Sequence, residues 1–138
     1  MAGTLSVTSR QFIDYSKDAK AKRCEKVICD FVGDASNGTV PALNLELKGF
    51  LLKVVTNPGS TAPTANYDIT LLDPDGADLD AAESKLLNRH TSNTEAVYPL
   101  VTGSTTPVFL LGTYTLTIAN TSVNNATGRI IFYLIDSL

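Results

Sequence analysis

Between Thr113 and Thr121 the chain reads Thr-Tyr-Thr-Leu-Thr-Ile-Ala-Asn-Thr, with Tyr114, Leu116 and Ile118 in one phase and threonines in the other. A period of two marks a strand with one buried face, because successive side chains on extended backbone point to opposite sides. The same period recurs along the chain. Leu5 and Val7 alternate with Thr and Ser, Val27, Cys29 and Phe31 alternate with Ile28, Asp30 and Val32, and Leu43, Leu45 and Leu47 alternate with Asn44 and Glu46. Tyr67, Ile69 and Leu71 repeat the pattern. Two stretches, 48–56 (KGFLLKVVT) and 128–138 (GRIIFYLIDSL), carry apolar residues in both phases, so those strands need cover on both faces. That second layer comes either from the domain itself or from a neighbouring subunit.

The runs are punctuated by turn chemistry. The segment 57–66 (NPGSTAPTAN) contains Pro58 and Pro63 and is a loop, read here as a contact surface, and Asp73-Pro74-Asp75-Gly76 is a turn. Seventeen Thr, nine Asn and nine Gly, against one Met and no Trp, suit many strands and many turns. One helical signal interrupts them. Asp80-Ala-Ala-Glu83 matches a capping box and is followed by good helix formers, which predicts a short helix near residues 80–88. The sum predicts an all-β chain, a jelly-roll-like β-sandwich of about eight short antiparallel strands with that one helix. At 138 residues it reads as a single domain, 1–138, with residues 1–23 set apart as an N-terminal arm or docking segment.

Cys24 and Cys29 are the only cysteines, and five residues apart on a strand they face opposite ways and do not bridge. Unpaired thiols, with no cationic-then-apolar leader at the start, point to synthesis in a reducing cytoplasm. The sequons at Asn37, Asn120 and Asn125 read as turn residues. No apolar run reaches the roughly 20 residues of a membrane span. With a net charge of −3, nucleic acid and membrane are not expected partners.

Catalytic chemistry finds few residues to use. His90 is the only histidine and sits in a polar loop, with no Gly-x-Ser-x-Gly elbow elsewhere. Asp73, Asp75, Asp78, Asp80 and Glu83 crowd one segment, but the fifth position of a calcium loop falls on Ala77 and the glycine arrives early, at Gly76. Turn-building and capping account for these carboxylates, as a solvated mixed-charge face accounts for Lys17, Lys20, Lys22, Arg23 and Lys26 among Asp14, Asp18 and Glu25. The expectation is therefore a non-enzyme with no catalytic residue, no metal and no cofactor.

The string GFLLKVVTNPGSTAPTANYDITLLDPDGADL, the LLNRHTSNTE stretch and the closing GTYTLTIANTSVNNATGRIIFYL resemble small virion structural proteins of tailed bacteriophages. The resemblance spans about residues 48–134 and implies a capsid cement, or decoration, protein. Such a protein has a jelly-roll-like fold, acts as a dimer or trimer, and binds the major capsid protein on the outside of the shell after assembly in the host cytoplasm. The competing expectation is a tail or fibre module for a host receptor or glycan, with Tyr98 as its aromatic platform. A hydrolase using the 73–83 carboxylates is a third. For partner binding the candidates are Phe12, Ile13 and Tyr15, whose apolar side chains have no clear periodic home.

Overall fold

The computed structural model describes residues 1–14, 23–80 and 84–138. Their strands are β1 (Thr4–Asp14), β2 (Arg23–Val32), β3 (Leu43–Pro58), β4 (Asp68–Leu72), β5 (Glu95–Val97), β6 (Phe109–Ala119) and β7 (Thr127–Ile135). All pairings are antiparallel within one seven-stranded sheet of order β1-β2-β7-β3-β6-β4, with β5 paired to β3 off that path. The all-β reading therefore holds, with seven strands.

β3 organises the sheet. Its first half, Leu43–Phe50, pairs with β6, and its second half, Phe50–Pro58, pairs with β7. The change of partner falls at Gly49, whose φ is 114° and where a Cβ would stand 2.6 Å from the Ile135 carbonyl oxygen. Only glycine accepts both that dihedral and that approach. Beyond this point the two halves share one core. Phe31 on β2 and Tyr67, one residue before β4, have ring centroids 6.2 Å apart, although four strand spacings separate β2 from β4 in the sheet order. Strands lie about 4.8 Å apart, so a flat sheet would hold those strands about 19 Å apart. The sheet curls over on itself.

The core lies inside that curl. It takes Val27, Cys29 and Phe31 from β2, Leu45, Leu47, Leu51 and Val54 from β3, and Ile69 and Leu71 from β4. Leu110, Tyr114, Leu116 and Ile118 come from β6, and Ile130, Phe132 and Leu134 from β7. Every period-two set read from the sequence in β2, β3, β4 and β6 points into it.

Two expectations change. No helix occurs among the described residues. The Ser84 amide does donate to the Asp80 carbonyl at 2.8 Å, closing one turn, but Ser84 takes φ 52° and Asn88 φ 56°. Left-handed residues end a right-handed helix, so tertiary bonding overrides the favourable propensity of this segment. The Asp80 carboxylate accepts from the Leu86 amide at 2.6 Å, six residues on, and Leu86 is buried in the core. Asp80 therefore closes a loop; its capping-box partner Glu83 lies outside the described residues. Secondly, the described part of the 1–23 segment is strand: β1 is laddered to β2 along its length, and 15–22 lie outside the described residues.

Candidate functional site

β1 contains a bulge. Val7 pairs with Cys29 and Ser9 with Ile28, so Thr8 is the extra residue. An inserted residue reverses the inside–outside phase of everything after it. Leu5, before the bulge, faces inward opposite Phe31; after it the inward residues are Arg10, opposite Val27, and Phe12, opposite Glu25. Gln11 and Ile13 are thereby turned to the outer face. Thr8 itself is tied down, its hydroxyl donating to the Asp30 carboxylate at 2.9 Å.

Phe12 and Ile13 thus serve different surfaces. Phe12 borders an open groove of about 560 Å³ at one end of the molecule, with Leu47, Leu134 and Leu111 among its walls. The Arg23 guanidinium lies 5.3 Å from the Phe12 ring centroid, within cation–π reach. Arg10 braces the same groove: it bonds Glu25 at 3.2 Å and donates to the Glu46 carbonyl at 2.5 Å.

Ile13 begins something larger. Residues opposite each other in an antiparallel ladder share a face, and the register runs Ile13 to Cys24, Cys24 to Ile135, Ile135 to Phe50, and Phe50 to Phe109. This apolar row crosses five neighbouring strands, β1-β2-β7-β3-β6, on the outside of the curl. Phe50 and Phe109 meet edge to face at 5.1 Å between centroids. Ile13 and Phe109, at the two ends of the row, are 59% and 52% exposed, and Cys24, Ile135 and Phe50 between them are half-buried. The second phase of GRIIFYLI, namely Ile131, Tyr133 and Ile135, lies on this same open face and is only half-buried. No second layer of described strands is stacked on that face, which is left partly open to solvent.

One step along each strand is a cationic row: Gln11 opposite Lys26, Lys26 opposite Tyr133, and Tyr133 opposite Lys53. Both lysine ammonium groups stand over the Tyr133 ring, at 5.7 Å and 4.6 Å from its centroid. Farther on, Arg129 grips Asp30 through two bonds of 2.6 Å and 3.0 Å. That grip, with the Thr8 hydroxyl assisting, holds the Asp30 carboxyl below the usual aspartate range.

The other described sequence candidates make local bonds. His90 Nδ1 accepts the Ser92 and Asn93 amides at 3.0 Å and 2.9 Å, occupying the lone pair a general base would use. Asp73 accepts the amides of Asp75 and Ala77, and Asp78 accepts that of Asp80. Among the described residues no cluster of His, Cys, Asp and Glu is disposed to hold a metal. The 57–66 loop is pinned down: Gly59 donates to Thr127, Thr127 to Thr61, and the Thr91 hydroxyl to the Pro63 carbonyl. Tyr15 lies outside the described residues. Of the sequence candidates Ile13 lies on this row; Cys24, Ile135, Phe50 and Phe109, which share it, are not singled out, their only sequence signal being apolar character in the outward phase of strands that also have a buried phase. No protein-family model and no curated protein sequence matches the chain.

Proposed function

We propose that this chain is a structural protein of a tailed-bacteriophage virion, which docks on the outside of the capsid shell and stabilises it as a cement protein. The observation that carries the reading is the uncovered apolar row Ile13–Cys24–Ile135–Phe50–Phe109. Apolar side chains ordered into a row across five strands and left partly exposed suit a surface made for another protein. The phrases resembling virion proteins name the partner class, the major capsid protein. The Phe31–Tyr67 contact across the curled sheet supports the finer fold reading, a jelly-roll-like sandwich. The edge of β1 away from β2 is unpaired among the described residues, which supports a homo-oligomer formed by strand addition.

The mechanism is thermodynamic. A chain that binds only the expanded lattice lowers that state's free energy by its own binding free energy. Repetition over the shell adds many modest contacts. The test is the copy number of this chain in purified particles. Copies comparable with the major shell protein support the cement reading. A small number per particle transfers the protein to the tail or fibre, and absence from particles overturns the virion reading.

A further inference from the structure

The outer face of β1, β2, β7 and the second half of β3 carries three cations, Lys26, Lys53 and Arg129, against one carboxylate, Asp30, a balance of +2 on a chain whose net charge is −3. Arg129 and Asp30 satisfy each other. Lys26 and Lys53 have no carboxylate within ion-pair distance among the described residues; they share Tyr133 instead. So the apolar row is flanked along one side by two cations that both stand over one aromatic ring.

From this juxtaposition we infer that the face docks an acidic amphipathic protein segment, whose apolar ridge lies along Ile13–Cys24–Ile135–Phe50–Phe109 and whose carboxylates meet Lys26 and Lys53. The inference rests on the preceding reading for the partner's identity, an element of the shell protein, and on the face alone for the partner's chemistry. Two alternatives fit the face less well. A second copy laid on the same face brings Lys26 and Lys53 against like charges, which opposes association. Nucleic acid would use the lysines and leave the five apolar residues with only sugar and phosphate to contact. Carboxylates beside an apolar ridge satisfy both rows. Five strands span about 19 Å, which a helix of about 13 residues matches at 1.5 Å per residue.

The test uses the full chain, isotope-labelled for NMR, and three probes: a 14-residue helical peptide with Leu on one face and Glu elsewhere, the same peptide with Lys for Glu, and a short DNA duplex. The acidic peptide is expected to shift the amides of Lys26, Lys53, Tyr133 and Ile135. Its affinity is expected to fall about tenfold or more in K26E/K53E and to weaken with added salt, while the Lys peptide does not bind. An unchanged melting temperature for K26E/K53E, whose side chains lie on the solvent face, shows the fold intact; if it melts early, K26Q/K53Q replaces it. Equal binding of both peptides, stronger binding of the duplex, shifts confined to another surface, or self-association through this face in sedimentation each overturns the inference. Particle copy number decides the virion reading separately, so either can fail while the other stands.

Discussion

Phe31 lies directly opposite Gly128 across the β2–β7 ladder, and its ring occupies the space that a side chain at 128 would take. A Cβ there would stand 2.5 Å from Phe31 Cε1. The ring has little room to withdraw, since it is 1% exposed, with Leu5 opposite it on β1 and the Tyr67 ring nearby. Gly128→Ala is therefore expected to destabilise by about 1–3 kcal/mol through overpacking, and Phe31→Ala by about 3–5 kcal/mol through the cavity it leaves. Chemical denaturation with an unchanged m-value checks both. A neutral Gly128→Ala would mean that the ring is free to move and does not hold the curl.

The bulge gives a prediction of a different kind. Deleting Thr8 removes the extra residue and leaves the rest of the register in place, with Ser9 following Val7 directly, so Ile13 stays on the outer face opposite Cys24 and Arg10 and Phe12 stay on the inner one. The Arg10–Glu25 pair and the Arg10 bond to the Glu46 carbonyl are then kept, and only the Thr8 hydroxyl bond to Asp30 is lost. NOEs from residue 12 or 13 to Cys24 and Ile135 report which side chain occupies the outer face. A deletion variant that brings Phe12 against them in place of Ile13 contradicts the assignment of the extra residue to Thr8.

This bulge also shows where the sequence stops being legible. Strands with one apolar phase, such as β6, could be read residue by residue because burial imposes the period directly. In β1 the apolar residues change from odd positions, Leu5 and Val7, to the adjacent pair Phe12 and Ile13, with Ser, Thr, Arg and Gln between them. That spacing shows that a phase is broken and not where. The predicted helix failed for a related reason: Ala, Glu, Lys and Leu favour helix locally, but Asp80, Ser84 and Leu86 are committed to a loop by bonds six residues apart and by core burial. The apolar row is invisible in one dimension because its five members come from five strands, and only the register aligns them.

The two thiols should behave differently. Burial pushes the Cys29 thiol up to about 11, so at pH 8 it holds almost no thiolate, whereas Cys24 is partly exposed on the outer face. A thiol reagent is expected to label Cys24 quickly in the native protein and Cys29 only on the timescale of unfolding, read by mass spectrometry with and without urea. Simultaneous labelling of both would place Cys29 outside the core. A bulky label on Cys24 also sits within the apolar row, beside Ile13, and should block docking without unfolding the chain.

Acid should weaken the outer face through Asp30. Its carboxyl is held below the ordinary aspartate range, chiefly by the hydrogen bond from Arg129. A depressed folded-state value means that the stabilisation is fully present above the unfolded-state pKa and is lost as pH falls through the folded one. The pair is partly exposed, so the effect is under about 1 kcal/mol. Asp30→Asn should lower stability at neutral pH by about that amount and flatten the acid limb of the stability curve. An acid limb identical to that of the parent would show that the ion pair contributes nothing in solution.

Phe12 and Ile13 are adjacent in sequence and almost equally exposed, at 58% and 59%, yet β1 sends them to opposite faces. That makes a matched pair of substitutions. Neither residue is core, so Phe12→Ser and Ile13→Ser should each leave the melting temperature within about 2–4 °C of the parent, the shift expected for about 1 kcal/mol. If the apolar row is the docking surface, Ile13→Ser weakens binding to particles and Phe12→Ser does not. Adding Phe109→Ser, at the row's other end, deepens the loss, since truncating a desolvated anchor at an interface costs about 1–2 kcal/mol. If Phe12→Ser is instead the damaging change, docking runs through the groove that Arg10 and Arg23 flank, and the row is only the outside of the sheet.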